Sequence, residues 1–331
     1  MLVPDFVHGC IAPTFTAFHE DGRLDDDGQR NLLDFMQQSG AISAYFIRSG
    51  MGQMYAFQMD DVKHLTRVVC EHLAGKAPVL VGCNGEWERD YSNRPDPETF
   101  LRQGIELAQS AAEAGASGVV YTVPEAWVPA ANESMGDMTV RYFTRLCESV
   151  SLPVFIYQPP NTHKDYLLTP KVLARLAALD KVVGLKASYS DAYYVYNLIR
   201  ATKDEEFRYI CGHEGIYFAA LYAGATAVIG QGATITPQIL KALQEAYEAG
   251  DRDTVLAAQD STNLLCEECS NPVDFYKAYA ADKGYPVKRA FRKYKTNPYG
   301  QDPTLMTDEQ YRIYRRLVER ELEKFGAAAA V

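Results

Sequence analysis

An apolar run, Val182-Val183-Gly184-Leu185, ends in Lys186. An ammonium among aliphatic groups is costly to keep charged without a partner, and burial favours the neutral amine, which attacks ketones. On this segment alone the lysine could equally cap a strand and reach solvent. One apolar run earlier, Val154-Phe155-Ile156 ends in Tyr157, followed by Gln158-Pro159-Pro160-Asn161-Thr162. A phenol beside an iminium can relay a proton between substrate and water. The plain alternative is a tyrosine packed in the mouth of a core. A third segment, Arg48-Ser49-Gly50-Met51-Gly52-Gln53, combines small residues with glycines. Its backbone could approach a ligand closely, and consecutive N–H groups can cradle a carboxylate, but such a Gly-x-Gly is also an ordinary tight turn. No Gly-Lys-Ser/Thr follows, so it is not a P-loop.

These residues need a scaffold that brings separate run ends together. Short apolar runs at residues 9–14, 44–49, 78–83, 118–123, 154–157, 182–186, 208–211 and 227–230 read as strands. Amphipathic stretches at 26–38, 60–73, 98–114, 137–150, 170–179, 192–199, 215–222 and 237–249 read as the helices between them. Eight βα units in about 250 residues have the size and rhythm of an α/β (β/α)8 TIM barrel. A doubly wound sheet is the alternative. In a parallel barrel the working residues sit at the C-terminal ends of the strands, where parallel neighbours lie about 4.8 Å apart. Lys186, Tyr157 and residues 49–53 all fall there. Glu125 and Gln231, after the fourth and eighth runs, could face the distal half of a substrate. The expected domains are a catalytic barrel over residues 1–250 and a helical region, 251–331, packed on it, with the final Ala-rich residues 327–331 frayed.

The 331-residue chain has a formal net charge of -10. Nucleic-acid binding usually needs a basic face, and the stretch Lys288-Arg289-Ala290-Phe291-Arg292-Lys293 reads as a solvated helix face instead. No apolar run approaches the roughly 18 residues of a membrane span, and no signal peptide is apparent. Seven cysteines, an odd count, suggest reduced thiols in a cytoplasmic protein. The pair Cys266 and Cys269 has no second pair at zinc-site spacing, and the six histidines form no metal-binding spacing. Imine chemistry on a lysine needs neither a metal nor an organic cofactor.

The chain resembles the dihydrodipicolinate synthase / N-acetylneuraminate lyase family of Schiff-base aldolases over residues 7–238. The resemblance rests on Ser49-Gly50-Met51-Gly52-Gln53, Tyr157-Gln158-Pro159-Pro160 and Gly184-Leu185-Lys186, and on the opening Ile11-Ala12-Pro13-Thr14-Phe15-Thr16. It implies that Lys186 forms the imine, that Tyr157 relays the proton and that the 49–53 loop holds the carboxylate of a 2-oxo acid. It implies a homotetramer or homodimer and a small-molecule substrate. The family's carboxylate-binding hydroxyl pair falls on Gly50 and Met51, so backbone N–H groups, with Ser49, are expected to do that work. In the sialic-acid lyases, the place of Glu214 carries acidic residues that bind sugar hydroxyls. A first-turn carboxylate at a helix start is the other reading of Glu214. The synthases carry a tyrosine pair where Pro124-Glu125-Ala126-Trp127 stands and an arginine where Thr162 stands. Residues 86–97 are longer than usual, which reads as a reshaped pocket entrance or a solvated loop. The expected function is aldol cleavage or dehydration of pyruvate-type or sugar-derived 2-oxo acids. Dihydrodipicolinate synthesis from pyruvate and aspartate semialdehyde, and non-catalytic sensing of a 2-oxo acid, are the alternatives.

Overall fold

Local side chains start the helices where the sequence places them. Asp25 accepts from Gly28 N and Asp96 from Thr99 N; Ser134, Thr169 and Asp191 accept from Asp137 N, Val172 N and Tyr194 N. Each such cap is worth about 1 kcal/mol. Pro97 and Pro170 occupy first-turn positions, where a missing N–H costs nothing. The computed structural model describes residues 1–293 and 304–326; the expected frayed end, 327–331, lies outside the described residues.

In chain order the elements are β1 (Gly9–Pro13), α1 (Asp26–Gln37), β2 (Ile42–Ile47), α2 (Met59–Leu73), β3 (Val79–Gly82), α3 (Pro97–Glu113), β4 (Gly118–Thr122) and α4 (Met135–Ser149). Next come β5 (Val154–Gln158), α5 (Pro170–Ala177), β6 (Val182–Ala187), α6 (Ala192–Ala201), β7 (Arg208–Cys211), α7 (Tyr217–Ala223) and β8 (Ala227–Val228). The C-terminal part holds α8 (Gly232–Ile235), α9 (Pro237–Ala249), α10 (Arg252–Glu268), α11 (Pro272–Asp282) and α12 (Asp308–Glu323). The eight strands close into a parallel barrel, with β1 paired to both β2 and β8. The architecture is the expected (β/α)8 barrel carrying C-terminal helices. The eighth strand is shorter than expected, and the turn that follows it is taken up by the short α8.

Alternation along the strands sorts the core into two layers. Ala44, Phe46, Leu80, Val120, Phe155 and Ile210 fill the barrel interior. Their sequence neighbours Tyr45, Ile47, Val79, Val119, Ile156 and Tyr209 pack outward against the helices. Along β6 this alternation breaks once. Val154 pairs with Val182, but Phe155 pairs with Gly184, so Val183 is passed over. Val183 belongs to the interior, whereas Val182, Leu185 and Ala187 belong to the outer layer. Strict alternation from Val183 would turn Leu185 inward and Lys186 outward. The slip reverses this, and Lys186 shares the interior side with its register partners Tyr157 and Ile210.

Residues 288–293 are not the expected solvated helix face. They form an irregular segment after α11 in which Arg289 and Arg292 are paired with carboxylates, while Lys288 and Lys293 are exposed. Arg289 grips the buried Asp274 carboxylate at 2.8 and 2.6 Å, and Arg292 pairs with Asp61. Lys277, fully buried in α11, donates to Ala290 O at 2.6 Å. Burial pushes the Lys277 ammonium down to about 7 from an ordinary 10.5, against the pull of Asp274 and Asp25. Between those values the unfolded chain holds the proton that the folded chain has released. Lys277 therefore makes stability rise with pH across that window, by at most about 1.4 kcal/mol per pH unit, and its cost is greatest below it. Urea unfolding of wild type and Lys277→Met should show a difference that shifts in favour of wild type as pH rises from neutral. A pH-independent difference would refute the assignment.

Candidate active site

Lys186 and Tyr157 sit side by side at the C-terminal ends of β6 and β5. Lys186 Nζ lies 3.9 Å from the centre of the Tyr157 ring, and that ring stands edge-on to Phe46 at 6.2 Å and 89°. Lys186 is only 8% exposed, and among the described residues its nitrogen has no ion-pair or hydrogen-bond partner. The Tyr157 hydroxyl likewise makes no hydrogen bond among the described residues. A desolvated amine is thus presented to a cavity beside a phenol that can give or take a proton. Gly212 makes room for the lysine: a Cβ there would come within 2.9 Å of Lys186 Cε.

The cavity, of about 840 Å³, is lined by Lys186, Tyr157, Ser49, Gly50, Met51, Glu214 and Gln231, so these expected site residues are brought together. In the β2 loop, Gly52 N donates to the Ser49 hydroxyl oxygen at 3.1 Å, Met54 N to Ser49 O at 3.1 Å and Gln53 N to Gly50 O at 3.2 Å. The Ser49 hydroxyl in turn donates to Thr14 O at 3.4 Å, so it braces the loop.

Glu214 opens a single 3-10 turn before α7 and is 5% exposed, but its carboxylate does not cap that turn. It accepts from Gly232 N at 2.8 Å and from the Cys266 thiol at 3.1 Å. Burial pushes its carboxyl above the usual range, opposed by the Cys266 thiol, the Gly232 and Ala233 N–H groups and the Lys186 charge. Gln231 stands at the start of α8 rather than at a strand end.

The site also draws on residues that sequence reasoning did not select. Asn263, Cys266, Glu267, Ser270 and Asn271, from α10 and the start of α11, line the cavity. A signal for them was present: Gln259, Asn263 and Cys266 follow helical i, i+4, i+7 spacing and form a polar stripe on one face. Gln259 Nε2 donates to Glu214 O and to Asn263 Oδ1, each at 2.9 Å.

Glu125 lies elsewhere. It is 3% exposed and does not line this cavity. It forms a two-point pair with Arg89, with both N···O distances 3.1 Å, and accepts from His163 N at 2.8 Å and from the Tyr91 hydroxyl. The expectation that Glu125 faces the distal substrate is corrected: Arg89, Tyr91 and His163 occupy its oxygens. Arg89 also compensates the Glu125 charge. Residues 86–97 are therefore no merely solvated loop: they deliver Arg89, whose guanidinium also donates to Asn161 O at 2.6 Å. Removing one partner of such a buried pair leaves an uncompensated charge, at a cost of about 3–5 kcal/mol. Arg89→Met should lose that much in urea unfolding, and Arg89→Met/Glu125→Leu should lose clearly less than the two single changes summed. Additive losses would show that the pair is not coupled.

Among the described residues Lys186 is the only lysine or arginine lining the cavity. Arg48 is buried on the carbonyls of Met54, Gly82 and Asn84, and Thr162 donates its hydroxyl to Pro159 O at 2.8 Å. Among the described residues no cluster of three His, Cys, Asp or Glu side chains is placed to hold a metal, and no helix is long and apolar enough to cross a membrane.

The sequence model of the dihydrodipicolinate synthetase family matches residues 6–293. The chain belongs to that family. It is accordingly a lyase, as relatives in the family are named. It is 31% identical, over 73% of this chain and 75% of the relative, to the Escherichia coli (strain K12) protein named "Putative 2-dehydro-3-deoxy-D-gluconate aldolase YagE". It is 28% identical, over 89% of this chain and 90% of the relative, to a 4-hydroxy-tetrahydrodipicolinate synthase of Dechloromonas aromatica (strain RCB). The fold matches the crystal structure of YagE from E. coli K12, described as a prophage protein of the dihydrodipicolinic acid synthase family in complex with pyruvate. The TM-score is 0.77 at 24% identity, covering 97% of this chain and 99% of that one.

Proposed function

We propose that this family member forms a Schiff base between Lys186 and the ketone of a 2-oxo acid, and that it cleaves or dehydrates a polyhydroxylated, sugar-derived one. The observation that carries the reading is the Lys186 amine, unpartnered among the described residues and 3.9 Å from the Tyr157 ring centre, at the wall of a large cavity. The amine adds to the C2 carbonyl, whose oxygen leaves as water. The iminium that results is an electron sink. When a C4 hydroxyl gives up its proton, the C3–C4 bond breaks into the iminium, an aldehyde departs and an enamine remains. Protonation at C3 and hydrolysis then release pyruvate and the free lysine. Loss of a β-hydroxyl uses the same sink. Tyr157 is the group placed to move the proton, and the β2 loop is placed to hold the carboxylate, which orients the reacting carbon.

The cavity lining supports a hydroxylated distal half. Glu214, Gln231, Asn263 and Asn271 offer acceptors and donors for hydroxyls, whereas a second carboxylate would find no arginine among the described lining residues. The name of the 31% identical relative points the same way, towards a 2-dehydro-3-deoxy aldonic acid. A second reading, condensation of pyruvate with aspartate semialdehyde, has the support of the synthase relative that matches 89% of the chain.

The two are separated by assay. Pyruvate release from 2-dehydro-3-deoxy-D-gluconate, coupled to lactate dehydrogenase, should exceed condensation, coupled to a reductase, by several powers of ten in kcat/KM. Condensation at about 10⁴ M⁻¹s⁻¹ or above, the ordinary enzyme range, without cleavage would sink the first reading in favour of the second.

A further inference from the structure

The β2 loop depends on a segment far away in the chain. Gln53 has φ 62, a left-handed backbone that a side-chain-bearing residue keeps only where its surroundings hold it. Here Arg292 holds it. Gln53 Nε2 donates to Arg292 O at 2.8 Å, and Gln53 Oε1 accepts from Arg292 N at 3.1 Å. One side-chain amide thus pairs with both main-chain groups of one residue, which only a group that donates and accepts at once can do.

Arg292 is itself pinned to two loops of the barrel mouth. Its Nε donates to Gly22 O at 2.8 Å, after β1, and its guanidinium donates to Ala56 O at 3.0 Å and to the Asp61 carboxylate, after β2. The guanidinium also lies over the rings of Phe18 and Phe57, at 5.1 and 5.5 Å. The preceding residues are tied from the other side: Lys277 holds Ala290 O, and Arg289 bridges the Asp274 carboxylate and Met306 O. Phe291, between the two anchors, lines the cavity.

We propose that residues 289–292 act as a strap that fixes the shape of the β2 loop, with Gln53 and Arg292 as positioning residues for the substrate's carboxylate. Neither reaches the reacting carbon. They hold the 49–53 turn, in which Gly52, Gln53 and Met54 direct their N–H groups onto the loop's own acceptors, so that its Gly50-Met51 end is presented to the cavity. The carboxylate role rests on the Schiff-base reading above; the coupling of strap to loop does not.

Two variants test it. Gln53→Glu keeps size and acceptor but removes the donor to Arg292 O, and Arg292→Ala removes the anchor to both loops. Hydrogen–deuterium exchange over residues 49–56 should speed up by about tenfold or more in both, with residues 154–187 unchanged. The half-saturating 2-oxo acid concentration for borohydride trapping on Lys186 should rise by about tenfold or more, while the saturating trapping rate stays within about twofold. Unchanged loop exchange, or acceleration spread evenly over the barrel, overturns the strap. Faster loop exchange with unchanged half-saturation, or a parallel fall in the saturating rate, overturns the positioning role. If wild type traps no 2-oxo acid, the Schiff-base reading fails, and the exchange experiment still decides the strap.

Discussion

Lys186→Ala should abolish turnover, lowering kcat by on the order of 10⁵–10⁶-fold, the scale set by removal of a covalent nucleophile. The same change should abolish adduct formation when wild type is treated with pyruvate and borohydride, and peptide mass mapping should place the wild-type adduct on Lys186. The fold should survive. Lys186 lines the cavity and has no bonded partner among the described residues, so its truncation exposes no orphaned charge and removes little core. A melting temperature within roughly 4 °C of wild type, or higher, is expected, because about 1 kcal/mol shifts a domain of this size by only a few degrees. A mapped adduct on any other lysine, or residual turnover near the wild-type rate, would remove Lys186 from the mechanism.

Tyr157→Phe should separate trapping from turnover. The ring that flanks Lys186 and meets Phe46 edge-on is kept, and only the hydroxyl goes. General acid–base groups contribute about 10²–10⁴-fold, so kcat should fall by that factor while borohydride still captures the imine. The phenol makes no structural hydrogen bond among the described residues, so the variant should be as stable as the parent. Turnover within about twofold of wild type would mean that another group carries the proton.

How much was legible in the chain differs by element. The strands were readable because each is a short apolar run between turn residues, and all eight have both ends within two residues of their expected bounds. The eighth stops at Val228, and beyond it Gly230 and Gly232 wrap the Glu214 carboxylate, a contact between the neighbouring ends of β7 and β8 that no local pattern announces. Lys186 and Tyr157 stood out because a polar residue ending an apolar run in a parallel barrel points to the loop-bearing face. Glu125 was misplaced because its partner, Arg89, sits in an irregular segment and is joined to it only by the fold. Basic residues 288–293 looked solvated because Arg289 and Arg292 find their carboxylates, Asp274 and Asp61, on other elements. The polar stripe of α10 was visible, but nothing in the sequence says which way a helix outside the βα rhythm will face.

The slip in β6 gives the nucleophile's direction the character of a parity bit. Whether Lys186 faces substrate or helices depends on whether an odd or even number of residues separates it from the last strictly paired position. Substitutions act on a graded scale, but deletion of a single residue beyond the slip, such as Leu185, would act on a binary one, turning Lys186 outward unless the strand re-registered. Deletion of Val183 itself would restore one-to-one pairing between β5 and β6 with Val154 still opposite Val182 and Tyr157 still opposite Lys186, and would leave the lysine inward. Recombination between barrels of this kind therefore has a hidden constraint: exchanging the first half of β6 without its pairing partner on β5 risks carrying the lysine intact but aimed at the wrong side of the wall.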